Sequence, residues 1–309
     1  MHKIGVQSGG IFSLADHEKG FATLAAHGFE CVDLNVDNLL PSKTVKEGEV
    51  GGMYAKSVEE LIEYFTPLRD SAKKYGIKIT QMHGPFPLWV NGRDEDMNPF
   101  VLEATKKAIA VADFLDCRNI VVHPINAQYI LSKEKEKELN FALYRALMPT
   151  AKKYGVTVCL ENLFAGVNGR NVEGPCSDVS EACNYIDTLN AEAGEKVFGF
   201  CLDIGHSNLY GRNLKEYIIA LGDRLSILHI HDNDGAGDLH MIPYSYLRGK
   251  STSIDWNGFV AGLRAINYKG DLCFETFRAM SAYPADTHPQ VLDLIHAIGV
   301  HFVKELEAE

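Results

Sequence analysis

Short apolar runs alternate with longer amphipathic segments eight times along this chain, and that alternation restricts the fold more than any other feature. The runs expected to be strands are Lys3–Gln7, Glu30–Asn35, Ile77–His83, Asn119–His123, Val156–Glu161, Phe198–Asp203, Ser226–His231 and Asp271–Glu275. Helices are expected at about Asp16–His27, Ser57–Tyr75, Met97–Leu115, Ser132–Tyr154, Asp178–Leu189, Leu214–Leu221 and Trp256–Ile266, with a last one within His288–Glu309. Three of these helices end in Gly28, Gly76 or Gly155 just before the next strand, as suits a left-handed C-cap. Pro67 and Pro149 fall inside helical segments and are expected to kink or split them.

Eight strand–helix units joined by right-handed crossovers close most readily into a parallel barrel. The expected class is therefore α/β, a (β/α)8 TIM barrel. An open dinucleotide-binding sheet is the main alternative, but Gln7-Ser8-Gly9-Gly10 after the first strand does not match its glycine fingerprint. With 309 residues and no low-complexity linker, residues 1–309 read as one domain.

The chain carries 30 basic and 41 acidic residues, a formal charge of −11. That balance argues against a general affinity for nucleic acid or anionic membranes. No run is long and apolar enough to span a bilayer, and the first residues lead directly into a strand without a signal-peptide pattern. The seven cysteines form no Cys-x-x-Cys pair, which points to a reduced, cytoplasmic protein.

In such barrels chemistry collects at the C-terminal strand ends. Here those ends read His83-Gly84-Pro85, His123-Pro124, Leu160-Glu161-Asn162, Asp203-Ile204-Gly205-His206, His229-Ile230-His231 and Glu275-Thr276. Any one of them is ordinarily a satisfied polar residue or a cap. Together, so many carboxylates and imidazoles at one rim are costly unless they pair or bind a cation, and a divalent metal is the economical explanation. Three strands repeat Cys-x-carboxylate: Cys159/Glu161, Cys201/Asp203 and Cys273/Glu275. Residues two apart share a strand face, so the thiols read as a packing layer beneath converging carboxylates. The loops His83–Asn98, Asn162–Ser177 and Asp232–Asp255 are the longest, with Phe86, Trp89 and Phe164 as candidate stacking partners. Asp238-Leu239-His240 adds a further acid and imidazole.

This set of strand-end motifs resembles the xylose isomerase-like TIM barrels, a superfamily of sugar isomerases, sugar-phosphate isomerases, ketose 3-epimerases and endonuclease IV. The resemblance implies one divalent ion, Mn²⁺, Mg²⁺, Co²⁺ or Zn²⁺, held by Glu161, Asp203, His229 and Glu275. Asp232 follows His229 at the usual spacing, while His231 faces the same side by alternation, so the choice between the two imidazoles stays open. Glu161 and Glu275 would remove and return the proton beside a carbonyl, through a metal-stabilised enediolate. His83, His123, His206, His231, Asp238, His240, Trp89 and Arg278 would contact the carbohydrate substrate. A phosphate on that substrate would be met by Arg170, Arg248 or Arg278. Relatives often form homo-oligomers.

The same resemblance carries a rival. Endonuclease IV-like enzymes bind three zinc ions through nine residues, and His83, His123, Glu161, Asp203, His206, His229, Asp238, His240 and Glu275 all have counterparts there. Three zinc ions against four carboxylates leave about +2, suited to a phosphodiester; one ion against three leaves about −1, suited to a neutral sugar. The rim cations Arg93, Arg170, Arg212, Arg248, Lys250 and Arg278 are few and diluted by acids, which favours the sugar over DNA. A sugar dehydratase or other lyase, or a non-catalytic sugar binder, would use the same scaffold.

Overall fold

A computed structural model describes residues 2–49, 51–246 and 254–308. Arg248 and Lys250, two of the rim cations, lie outside these residues. The strands are β1 (Ile4–Gln7), β2 (Cys31–Asn35), β3 (Lys78–His83), β4 (Asn119–Val121), β5 (Thr157–Glu161), β6 (Phe164–Val167), β7 (Arg170–Glu173), β8 (Phe198–Asp203), β9 (Leu225–His229) and β10 (Leu272–Phe274).

Eight of them form one all-parallel sheet in the order β10-β1-β2-β3-β4-β5-β8-β9. The sheet closes just past β9. Ile230 pairs with Phe274, its amide donates to the Cys273 carbonyl at 2.9 Å, and the Glu275 amide donates back to the Ile230 carbonyl at 3.0 Å. The molecule is thus a single (β/α)8 barrel. Every expected strand is present, with ends displaced by at most two residues. The sixth, Phe198–Asp203, is buried at all six positions, as an inner strand with both faces covered must be.

The helices pack outside. Val58–Tyr75 opens with a capping box between Ser57 and Glu60, buries Leu61, Phe65, Leu68 and Ala72, and ends at Gly76 with φ +71°. Contrary to expectation, it runs unbroken through Pro67, as Lys133–Tyr154 does through Pro149. Each proline removes one ladder bond, and burial of the helix's apolar stripe offsets that loss; Phe65 alone, 1% exposed, is worth about 2–3 kcal/mol. The hairpin β6–β7 and the short helices Ser42–Glu47, Ile204–Leu209 and Phe277–Ala282 have no counterpart in the sequence reading. Among the described residues no helix is long and apolar enough to cross a membrane.

Inside the barrel, Val121, Cys159, Cys201 and Ile227 form a small apolar plug. Burial pushes the Cys159 thiol up to about 12, and those of Cys201 and Cys273 well above the ordinary range. Thiols so held stay protonated at neutral pH, as suits a packing layer.

Candidate functional site

The barrel mouth is built from strand ends that project ionisable side chains toward one axis. β5 supplies Glu161 and β8 supplies Asp203, and the Asn162 amide clasps the two strands. Its Nδ2 donates to the Asp203 carbonyl and its Oδ1 accepts from the Asp203 amide, both at 2.8 Å. Asp203 also caps the short helix that follows, its Oδ1 accepting from the His206 amide at 2.6 Å. That turn swings His206 back over Glu161, with Nδ1 3.3 Å from Oε1, while His123 Nε2 approaches Oε2 at 2.9 Å. His83 lies edge-on to His123, ring centres 4.7 Å apart.

Across the mouth, His231 Nε2 is 3.0 Å from both Asp203 oxygens, and its ring stacks on His240 at 4.0 Å. His240 sits at φ +46°, a left-handed conformation that a non-glycine residue adopts at a cost. That conformation lets Nδ1 reach the Glu275 carbonyl at 3.0 Å while Nε2 lies 2.9 Å from Asp238. His229 is one layer deeper. Its Nε2 is 3.0 Å from Asp33, and its Nδ1 is 3.3 Å from Glu275 and 3.6 Å from Glu161.

Among the described residues, no Lys or Arg pairs with Asp33, Glu161, Asp203, Asp238 or Glu275. Imidazoles are their only cationic partners. Burial raises the pKa of Glu161, but His123 and His229 more than offset it and hold the group well below the carboxylate range. Burial wins at Glu275, whose acid is pushed well above that range. The two glutamates are therefore driven apart, the environment that separates an acid from a base. Burial, then the neighbouring His231, depresses His240 to about 4, and His206 is raised by Asp203, Asp238 and Glu161 against its own burial.

The donor atoms suit a cation. Buried nitrogens of His123, His229 and His231 and oxygens of Glu161 and Asp238 have close neighbours but no aligned hydrogen bond. Potential ligand atoms cluster within 4.8 Å in several sets: His83/His123/Glu161, Glu161/Asp203/His206, His206/Asp238/His240 and His231/His240/Glu275. A mixed carboxylate and imidazole set of this kind fits a divalent metal.

Of the residues singled out in the sequence, all the carboxylates and imidazoles meet here, and Trp89 and Arg278 lie apart from that cluster of contacts. Trp89 is half-buried against the outer core, and Arg278 is exposed beside the Phe277 ring. The aromatic wall consists instead of Phe86 on His123 (4.8 Å), Phe164 on His206 (5.1 Å) and Phe277 on His240 (4.3 Å). Arg93 and Arg212 are neutralised by Asp96 and Glu173, and Arg170 is exposed on the hairpin. Sequence reading missed Phe277, Asp33, Gln7 and Gln81. An acid at the centre of a buried strand, Cys31-Val32-Asp33-Leu34-Asn35, was the available signal for Asp33.

A family model described as xylose isomerase-like TIM barrel matches residues 21–297. An uncharacterized protein, y4fM, of Sinorhizobium fredii is 30% identical over 181 residues, 57% of this chain and 52% of its own length, so the chain spans about half of that relative. D-psicose 3-epimerase of Enterocloster bolteae is 25% identical over 277 residues, 85% of this chain and 77% of its own length. Among solved structures, 3-keto-D-glucoside 4-epimerase from E. coli superposes with a TM-score of 0.69 at 19% identity, covering 96% of this chain and 100% of its own. The IOLI protein with a bound zinc atom gives 0.69 at 18%, covering 99% and 100%. At these identities the structural likenesses speak for the fold.

Proposed function

Since the chain belongs to the xylose isomerase-like TIM-barrel family, we propose that it is a divalent-metal-dependent sugar isomerase or epimerase. The observation that carries this reading is the pair Glu161 and Glu275: two buried glutamates facing one centre, with the His229 imidazole within 4 Å of both. The named activity of the Enterocloster relative points to the same class.

Glu161, Asp203, Glu275 and one imidazole would hold the ion. The sequence pattern favoured His229 for that imidazole, but the geometry favours His231, which lies against Asp203 at the mouth, whereas His229 is engaged below by Asp33. Mn²⁺, Mg²⁺ or Co²⁺ suits so many carboxylate oxygens, and the imidazoles admit Zn²⁺. When bound, the ion supplies Lewis-acid stabilisation of negative charge on a substrate oxygen. The chain does the rest. One of the two glutamates takes the proton from the carbon beside the substrate carbonyl. The other returns it to the opposite face, giving an epimer, or a proton returns to the neighbouring carbon, giving the isomer. His83, His123, His206 and His240 bind substrate oxygens. Phe86, Phe164 and Phe277 cover its carbon face and exclude water. Assembly into a homo-oligomer belongs to the same proposal and is read by sedimentation.

The test is solvent-deuterium incorporation into a panel of ketoses and aldoses with Mn²⁺ or Co²⁺ present. Incorporation is expected with the wild type and is lost in Glu161→Gln and Glu275→Gln; unchanged exchange in both variants sinks the mechanism.

The two flanking groups, His83/His123/Glu161 and His206/Asp238/His240, favour a second reading, a trinuclear zinc phosphodiesterase. Metal analysis separates the two. About one ion per chain supports the sugar reading. About three zinc ions, with cleavage of an abasic oligonucleotide, replaces it. The neutralised arginines at the rim weigh against DNA.

A further inference from the structure

We infer that Asp33, His229 and Gln7 form a buried positioning layer that sets the orientation of Glu161 and Glu275 from below, and that His229 acts there and not as a metal ligand. The inference rests on the reading of those glutamates given above and adds residues that the strand-end motifs do not contain.

Asp33 lies in the middle of β2 and is fully buried. A carboxylate at that depth is tolerated only with partners. Gln81 Nε2 donates to its Oδ2 at 3.1 Å, and His229 Nε2 reaches the same oxygen at 3.0 Å. The His229 ring thus spans the two levels, Nε2 over Asp33 below and Nδ1 facing Glu275 and Glu161 above. Among the described residues, His229 is the one imidazole within 4 Å of both glutamates, at 3.3 and 3.6 Å. Its neighbours divide them: His123 and His206 approach Glu161, and His240 approaches Glu275.

Glu275 is gripped from the other side too. Gln7, at the end of β1 and 1% exposed, donates from Nε2 to Oε1 at 2.5 Å, while His229 faces Oε2. Both oxygens are thus positioned by the barrel interior before any ligand arrives. Catalytic groups must be held within about 0.5 Å of their working geometry, and residues that orient metal ligands from behind typically account for about 10–100-fold in affinity or activity. His231 contrasts with His229. It lies two residues further toward the mouth and, among the described residues, meets Asp203 and Asp238 and no glutamate within 4 Å.

The experiment compares His231→Gln, His229→Gln and Asp33→Asn in the full chain, with free Mn²⁺ read by electron paramagnetic resonance. His231→Gln is expected to weaken Mn²⁺ more than 100-fold. His229→Gln and Asp33→Asn should keep one ion per chain at about tenfold weaker affinity, with exchange turnover down about 100-fold and KM unchanged. If His229→Gln loses the ion as completely as His231→Gln, His229 is a ligand and the inference is wrong, while the metal reading stands. If the wild type binds no divalent ion, the metal reading fails. The positioning layer is then decided by the crystal structure of Asp33→Asn, where rotation of the Glu161 and Glu275 carboxylates is expected and unchanged carboxylates overturn it. Should Asp33→Asn not fold, Gln7→Met removes the Glu275 contact, together with a long 3.5 Å bond from Asn35, and serves the same comparison.

Discussion

The two ends of this barrel are both rich in charge, yet they handle it in opposite ways. The N-terminal end has a cavity of about 660 Å³ lined by cations such as Lys3, Lys73, Lys78, Arg118 and Lys269, with no imidazole. Three of its cations meet acids in water-reachable pairs, Lys3–Asp271 at 3.5 Å, Lys73–Asp116 at 3.7 Å and Arg118–Asp113 at 2.7 Å. Such pairs contribute at most about 1 kcal/mol each. Lys73 also completes the last turn of its helix, where a cation complements the dipole. At the C-terminal end, carboxylates and imidazoles are buried together, and among the described residues no lysine or arginine pairs with those carboxylates. A mouth that keeps five carboxylates near one axis at that cost has a use for them.

The strongest way to break this contrast is at the glutamates. Glu161→Gln or Glu275→Gln is expected to reduce turnover at least about 10³-fold, several kcal/mol in barrier, whereas Lys78→Ala plus Lys269→Ala at the other end should change it less than about twofold. A bottom-face double variant as damaged as the glutamate variants would remove the distinction.

Chelation is next in size. Stripping the protein of divalent ions leaves the mouth's carboxylates uncompensated. The melting temperature should fall, and Mn²⁺ or Co²⁺ should restore it, by about 4 kcal/mol of stability at an ion concentration a thousandfold above Kd. A metal-independent melting curve would contradict this.

A pH experiment on the metal-free protein sharpens the comparison further. His240, with a folded pKa of about 4, stays neutral while the unfolded chain takes up a proton near 6.5. The unfolded state then binds more protons between these values, so stability falls as pH drops from 6.5 to 4. His240→Gln removes that slope, and the wild type should lose several degrees relative to it across the window. Parallel curves would show that His240 is not held neutral. Phe277→Ala, which strips the apolar cover from His240, should have the smallest effect, a rise in KM of about tenfold with kcat within twofold; a loss of kcat alone would move Phe277 from binding to chemistry.

Much of this was legible before folding. Glu161, Asp203 and Glu275 end predicted strands, with His206 three residues past Asp203, and barrel geometry brings such ends together whatever the side-chain details. An aromatic on a long loop, such as Trp89, reads alike whether it faces ligand or core; here it packs against the core, and Phe277, on a short helix that the sequence did not announce, lies beside His240. The helices through Pro67 and Pro149 show the same limit, since local propensity was outweighed by burial of a long apolar stripe.

The sequence by itself determined the eightfold alternation, the single barrel and the residue types at its mouth, because periodicity and strand ends are local properties of the chain. Only the tertiary structure decided depth and pairing. Alternation puts both His229 and His231 on the inner face, but which of them meets Asp203 and which meets Asp33 depends on strand stagger around the closed barrel. Asp33 is 196 residues from His229 in the chain, and no local pattern joins them. They are brought within 3.0 Å by the closure of β1 onto β10 and of β9 onto β10, which turns eight local units into one interior.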